Sequence, residues 1–497
     1  MDLNVLFITA DQWRGDWLSR PFAPTPRLDA LARDAVLFTN HHAQMTPCGP
    51  SRASLHTGMY GFNHRSIHNA TPLDARHTTT ALEARRLGYD PVLFGYTDTT
   101  VDPRAVAEDD PRLRRTDGID PYENVAPGYR AVCHLPEAAG PWLAHLRARG
   151  YGEVDLDWAY GGPLGVPAPY RAEDSETAFL ADRALEHLAS ASEPWFVHVS
   201  FIKPHPPFVA AEPWNGLVST QDVPAPRRQE SPEAEAVLHP WLADWLGRGF
   251  GEWFDTRFGD PRGLDEDRVR TMRAVYAGLI AEVDHHVGRL VDHLRATGAL
   301  ERTLLIVTAD HGEMLGDHWM IGKSGFFREA FHVPLLIRDP RPGAARGRRV
   351  DAFSEHVDLM PTILVAIDAE VPLQADGCDL HPWLVSETPA AWRTATHWEH
   401  DIVDLETGAH ERLGLGVDDG GIAVRFDGRH AYVQFTALPA LLFDHAADPG
   451  WTRCRLGDDP RTALAMAQGM LAWRMRHAER RLSRCLITPE GIVGRYR

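Results

Sequence analysis

Thr303-Leu304-Leu305-Ile306-Val307-Thr308-Ala309-Asp310-His311-Gly312 is the stretch that decides the fold. Thr303 to Thr308 is a strand-length apolar run without alternation, as a strand covered on both faces requires, and it runs straight into an acid and a histidine. Upstream, the periodic segment from Asp265 to Thr297 predicts a helix stopped by Gly298. The same unit recurs nearer the N-terminus. Ser175 to Leu188 reads as a helix, Trp195 to Phe201 as a strand and Lys203-Pro204-His205-Pro206-Pro207 as its exit loop. Thr79 to Leu87, stopped by Gly88, precedes the strand Pro91 to Phe94 and the polar Gly95-Tyr96-Thr97-Asp98. Asn4 to Thr9 runs into Asp11-Gln12, and a helix with Pro26 in its first turn follows. Such alternation implies an α/β fold, a largely parallel sheet between helix layers. Ligands of these sheets bind outside the carboxyl ends of the strands. Here four strands release polar residues at that end: Asp11-Gln12, Tyr96 to Asp98, Lys203 with His205, and Asp310-His311.

Beyond this core, Arg341 to Val350 is rich in Gly, Pro and Arg and reads as a surface loop. Asp102 to Pro169 reads as a turn-rich elaboration over the site. After Pro361 the pattern changes. Ile422 to Phe426, His430 to Thr436 and Leu441 to Asp444 predict a smaller antiparallel sheet, packed by a helix from about Arg461 to Leu482. The chain is therefore divided into residues 1–370 and 371–497, and the tail Ile487 to Arg497 reads as short and polar.

Composition narrows the class. A chain of 497 residues, 44% apolar and 24% charged, can hold two or three domains with a large core, and is neither disordered, fibrous nor a disulfide scaffold. Its net charge of -18 argues against nucleic acid or an anionic membrane as partner, so an anionic ligand needs a locally positive site. No apolar run reaches the roughly 18 residues of a membrane span, and the N-terminus lacks the basic start of a signal peptide. Five scattered cysteines suit reduced thiols, so the cytoplasm is the expected compartment.

Chemistry concentrates at Met45-Thr46-Pro47-Cys48-Gly49-Pro50-Ser51-Arg52-Ala53-Ser54-Leu55-His56-Thr57-Gly58. Pro50 suits a first helical turn, which puts Cys48 at or just before a helix N-terminus, where free N–H groups attract anions and lower a thiol's pKa. Arg52 follows one turn later and can reach back to position 48. That spacing is tighter than thiol phosphatases of the phosphate-loop type use, which disfavours plain thiolate chemistry. Cys48-x-Pro50-Ser51-Arg52-x-x-Leu55-x-Thr57-Gly58 resembles the signature of the formylglycine-dependent sulfatases of the alkaline phosphatase superfamily. Asn63-His64-Arg65 with Asn69, Gly95-Tyr96-Thr97, Pro204-His205-Pro206-Pro207-Phe208, Asp310-His311-Gly312-Glu313 and Lys323 are similar to the branch of phosphonate monoester hydrolases and related cytoplasmic sulfatases. Leu441 to Asp444 with Asp448-Pro449, and Trp473-Arg474 with His477-Ala478, look like the same branch.

The resemblance implies an alkaline-phosphatase-like three-layer sandwich and a Cys48 oxidised to Cα-formylglycine by a maturation enzyme. It implies that Asp11, Asp310 and His311 ligate one divalent metal ion, with Gln12 at its edge and the modified Cys48 completing the shell. Many sulfatases have a second aspartate where Gln12 stands and an asparagine where His311 stands. An imidazole in place of oxygen donors shifts the preference from calcium towards manganese or zinc; manganese is expected, with calcium, magnesium or zinc as alternatives. The hydrate of the aldehyde is a geminal diol whose hydroxyl attacks sulfur or phosphorus, after which the covalent ester leaves by C–O cleavage. By the same resemblance Arg52 holds the hydrate, Lys323 and Asn69 share oxyanion charge, His205 protonates the leaving oxygen, and Tyr96 holds a non-bridging oxygen or the ester group.

The implied substrate is a small-molecule sulfate or phosphonate ester, with sulfate first and phosphonate monoesters and phosphodiesters as promiscuous substrates. The alternative reverses that order, and a third reading is an inactive anion-binding relative, against which the intact metal set and Cys48 argue. The family also implies a homo-oligomer, dimer or tetramer. One departure bears on specificity: Asp98, followed by Thr99-Thr100, stands where the phosphonate hydrolases carry a run of threonines. An ionised carboxylate ~4 Å from an anionic substrate costs about 4 kcal/mol near a protein surface. Unless Asp98 is paired, protonated, turned away or merely caps its loop, it favours a cationic or hydroxyl-bearing leaving group and a sulfate ester. Thr99 and His318 are the other expected pocket residues, and Trp13 a further one. His41-His42 and His285-His286 read as exposed or half-buried.

Overall fold

Alternate residues of the strand Asn4–Asp11 point to opposite faces, and both faces are buried. Val5 and Phe7 enter one core with Leu55, Ala81 and Leu359; Leu6, Ile8 and Ala10 enter another with Trp142, Leu180 and Leu290. This duplication explains the unbroken apolar run and makes the chain a three-layer sandwich. The protein is seen as a computed structural model that describes residues 3–248, 265–405, 408–479 and 481–495. Its main sheet has eight strands: β1 (Asn4–Asp11), β2 (Val36–His42), β3 (Pro91–Gly95), β4 (Arg130–His134), β5 (Phe196–Pro204), β6 (Thr303–Ala309), β7 (His332–Arg338) and β8 (Arg348–Glu355). They lie in the order β4-β3-β5-β1-β6-β7-β2-β8, and only β7 runs against its neighbours. Helices Cys48–Thr57, Thr80–Arg86 and Leu359–Ala366 cover one face; Gly140–Ala148, Glu176–Leu188 and Glu266–Thr297 cover the other. The last begins at the Asp265 side chain, which accepts from the Arg268 N–H, and ends at Gly298 with φ 74°.

A second sheet, antiparallel, consists of β9 (Thr396–Asp401), β10 (Gly421–Phe426), β11 (His430–Phe435) and β12 (Leu441–Asp444). Helix Pro460–His477 packs on one of its faces through Met466, Met470 and Trp473. The opposite face, with Trp398, Val424 and Phe443, shares a core with Met314, Phe326 and Phe331, just downstream of Asp310.

Several expectations need correction. Residues 102–169 are not simply a lid of turns, because they include the edge strand β4 and helix Gly140–Ala148, whose Trp142 and Leu146 are core. The Arg341 to Val350 segment ends inside β8, whose exposed edge hid the strand pattern. His41 and His42 are fully buried: His41 bridges Ser354 and His356, and His42 stacks on Trp398. Of the other pair, His286 is buried and His285 exposed, so that pair splits. Nor is the tail polar. Its hairpin, β13 (Cys485–Thr488) with β14 (Gly491–Gly494), exposes Leu486, Ile487, Ile492 and Val493. Among the described residues, no helix is long and apolar enough to cross a membrane.

Asp317 anchors the segment that follows β6, with Arg14 at 2.7 Å and Arg273 at 2.6 Å, all three side chains buried. Burial opposes its charge, but Arg273 and Arg14 win and hold its pKa below the ordinary value. Asp317→Ala leaves the buried Arg273 guanidinium without its carboxylate and Arg14 with Asp16 alone, and should destabilise the fold by about 3–5 kcal/mol in a urea titration at neutral pH. Because the folded pKa is depressed, this contribution is present above the free carboxylate value of about 4 and is lost as pH falls through the folded value. The gap between wild type and variant should therefore close on acidification.

Candidate active site

Strands β3, β5, β1 and β6 are adjacent, so their four carboxyl ends meet. Helix Cys48–Thr57 starts over that meeting point, with Cys48 as its first residue and Gly58 closing it at φ 68°. Gly49 leaves little room for a side chain, since a Cβ there would lie 3.0 Å from the Asp98 carbonyl oxygen and 3.1 Å from Asn69 Oδ1. Instead, the Gly49 N–H donates to Asn69 Oδ1 at 2.9 Å, so Asn69 takes up one of the helix's free donors. One turn on, Arg52 Nε donates to Asp310 Oδ2 at 3.0 Å and Nη2 to Asp11 Oδ2 at 3.1 Å. Its Nη1 donates to the Tyr96 carbonyl at 3.0 Å and to Ser200 Oγ at 2.8 Å. Tyr96 lies under the guanidinium, 4.3 Å to the ring centroid, and its hydroxyl donates to Asp11 Oδ2.

Asp11, Cys48, Asp310 and His311 each present a ligand atom, all within 4.8 Å of one another and all buried. His311 Nδ1 bonds the Gly312 carbonyl at 3.0 Å, which makes Nδ1 the donor and leaves the Nε2 lone pair free. That Nε2 is 3.3 Å from Cys48 Sγ and 3.7 Å from an oxygen of each aspartate. Burial and Lys323 hold His311 neutral, the form a metal needs. Two carboxylates, a neutral imidazole and a fourth donor at position 48 fit a divalent ion. The electrostatics agree. Burial would raise Asp11, but its charged neighbours, Lys323 foremost and Arg52 beside it, outweigh it and hold it below the carboxylate range. Asp310, buried and facing Asp11, is pushed up to about 7 despite Arg52 and Lys323, so the carboxylate pair still lacks positive charge.

Cys48 does not have the lowered pKa expected at a helix N-terminus. Burial and Asp11 push the thiol up, more than Lys323 at 2.9 Å lowers it, which leaves it poorly suited to thiolate chemistry. Lys323 stays charged against burial because Cys48, Asp11 and Asp310 face it, and it also donates to Gln12 Oε1 at 2.8 Å. Gln12 Nε2 donates to Glu313, so its amide oxygen turns towards Lys323. His205 Nδ1 contacts the Pro206 carbonyl at 2.6 Å; burial and Lys323 lower its pKa to about 3. Thr99 is half-buried in the Asp98 loop, its hydroxyl on the Thr97 carbonyl.

Two expected pocket residues lie elsewhere. His318 is fully buried, its Nδ1 on Glu235 at 2.8 Å and its ring stacked on Phe327, and Trp13 is a core residue. Sequence reading gave no role to Ser200 or Glu313. Ser200 is the one hydroxyl among the four acceptors around Arg52, hidden inside a largely apolar strand; Glu313 stands in plain view after Asp310-His311-Gly312 and fixes Gln12.

The family model for sulfatases matches residues 3–369. Over 518 aligned residues, covering 99% of both chains, the sequence is 38% identical to the multifunctional alkaline phosphatase superfamily protein PehA of Trinickia caryophylli. The phosphonate monoester hydrolase of Agrobacterium radiobacter superposes with a TM-score of 0.95 at 42% identity, covering 100% of both chains. That of Silicibacter pomeroyi superposes with a TM-score of 0.93 at 40% identity, covering 100% of this chain and 99% of the other. With Cys48, an arginine clamp and a carboxylate–imidazole cluster gathered at one sheet end, and with that likeness over its whole length, the chain belongs to the sulfatase family and is an ester-bond hydrolase.

Proposed function

We propose that the protein is a metal-dependent hydrolase of monoanionic esters, taking phosphonate monoesters, phosphodiesters and sulfate esters at a formylglycine formed from Cys48. The charge of the buried cluster carries this reading. Asp11 and Asp310 offset Arg52 and Lys323, so a divalent ion would leave the cluster doubly positive and a deprotonated oxygen nucleophile at position 48 would reduce that to one. Such a cradle matches one negative charge better than the two of a phosphate monoester. Likeness to phosphonate monoester hydrolases supports phosphorus esters as the main substrates; Asp98 favours the second reading, a sulfate ester with a compatible leaving group.

Asp11, Asp310, His311 and position 48 would hold the ion, with manganese our choice from the imidazole. When bound, it would supply Lewis-acid stabilisation and acidify an oxygen nucleophile at position 48. Arg52 fixes both aspartates and so the geometry of the cradle. Lys323, 2.9 Å from Cys48 Sγ, is placed to neutralise charge on a non-bridging oxygen, and Asn69 and Tyr96 flank the same point. With Nδ1 on Pro206, His205 has Nε2 to carry a proton to the leaving oxygen; a seated anion raises its pKa and so loads that proton.

We also read residues 1–370 as the catalytic domain and 371–497 as a subdomain that buttresses it. The exposed apolar hairpin supports a homo-oligomer, and five unpaired cysteines support a cytoplasmic enzyme matured there by a formylglycine-generating enzyme. The test is kcat/KM for an aryl phosphonate monoester, an aryl sulfate and an aryl phosphate monoester. Both monoanions should exceed the dianion at least about 10-fold, and chelation should abolish all three activities, with manganese restoring them. A preferred dianion would overturn the reading.

A further inference from the structure

We infer that Asp98 and Glu137 form an acidic recess beside the reacting centre that selects esters whose leaving group carries a positive charge. Asp98 is only 3% exposed, yet neither carboxylate oxygen has a hydrogen-bond partner. Its backbone is pinned against the catalytic helix, where its carbonyl oxygen caps the space over Gly49. Its charge acts on Cys48, Arg52 and Tyr96, so the carboxylate lies within electrostatic reach of the reacting atoms.

The chain's own cations near it are committed elsewhere. Arg52 spends its donors on Asp310, Asp11, Ser200 and the Tyr96 carbonyl, and Lys323 on Cys48 and Gln12. Glu137 adds to the negative field at Asp98 instead of relieving it, and the half-buried Tyr122, whose hydroxyl donates to Glu137 Oε2 at 3.1 Å, lies in the field of both acids. Burial raises the pKa of Asp98 against the pull of Arg52, with Glu137 and Asp11 adding to the rise, the condition of a carboxyl group that ionises fully only when a further positive partner arrives. A buried carboxylate without a partner costs several kcal/mol, and a cation on the substrate removes that cost only when bound. The phenol ring of Tyr122 offers an amine or quaternary ammonium group a second attraction. The ester group itself stays on Lys323 and Arg52, so one substrate places a negative and a positive charge at neighbouring subsites.

This inference rests on the ester-hydrolase reading above. Its test uses two sulfate esters of equal shape, 3-[2-(trimethylammonio)ethyl]phenyl sulfate and 3-(3,3-dimethylbutyl)phenyl sulfate, whose phenols are of similar acidity because the ethylene spacer insulates the ring from the charge. Matured, metal-loaded wild type should prefer the cationic ester by about 10-fold or more in kcat/KM, and Asp98→Asn should bring the ratio close to one. A second readout needs no variant: 3-[2-(trimethylammonio)ethyl]phenol should inhibit wild type about 10-fold more tightly than 3-(3,3-dimethylbutyl)phenol, and less so as salt is raised. Turnover of the neutral ester with no cation preference, or a preference that survives Asp98→Asn, overturns this inference and leaves the hydrolase reading standing. If neither ester nor an aryl phosphonate is turned over, both fall.

Discussion

Cys48→Ala should lower kcat/KM for any aryl ester by about 10⁴-fold or more, with the fold kept and metal binding weakened by the loss of one of four donors. Position 48 is where Lys323 Nζ, His311 Nε2 and the carboxylate of Asp11 converge, and the helix N-terminus that carries it is seated on Asn69. No neighbouring side chain could take over as nucleophile. Ser51 is spent on the Asp310 carbonyl and Ser54 on His64. The remaining rate would come from Lys323 and the ion acting on bound water. Steady-state kinetics beside a thermal melt decide the matter, and a variant within 10-fold of wild type would contradict the assigned role.

Arg52→Gln should cost both activity and stability. The guanidinium separates two carboxylates that share a buried site, and with it gone only Lys323, 3.9 Å from Asp11, offsets them. Breaking such a pair costs about 3–5 kcal/mol, and misplacing the cradle should reduce kcat/KM by about 10³-fold. Divalent metal binds the folded state and supplies the missing charge, so manganese should recover more stability in Arg52→Gln than in wild type. Urea titrations with and without manganese measure this; a variant as stable as wild type without metal would contradict the electrostatic account.

The parts legible in the sequence share one physical property. β1, β3, β5 and β6 are adjacent strands buried on both faces, so apolar residues predominate along them and their polar ends stand out. Those ends are the site, which is why Asp11, Tyr96, His205 and Asp310 could be grouped before any contact was known. Edge strands lack that signal. β4 alternates exposed and half-buried residues, and β8 opens with Arg348-Arg349 on the sheet rim. β2 ends in Asn40-His41-His42, where two histidines find buried partners that no local pattern announces. His318 misled for the opposite reason: lying close in sequence to Lys323, it instead turns into the core against Glu235 and Phe327. Sequence proximity is a poor guide where the chain bends sharply, and Leu315, Gly316, His318 and Trp319 all have positive φ.

The thiol of Cys48 teaches a related lesson. A helix N-terminus alone lowers a thiol's pKa, but burial beside Asp11 and Asp310 reverses the sign, so the cysteine is ill-suited to act as it stands. Conversion to an aldehyde, as proposed, would resolve that conflict, because the cluster would then face a neutral oxygen group. The mass of the proteolytic peptide spanning Cys48, taken from metal-loaded enzyme of known specific activity, tests this most directly. The account predicts the aldehyde or its hydrate in proportion to activity; an unmodified thiol throughout fully active enzyme would contradict it.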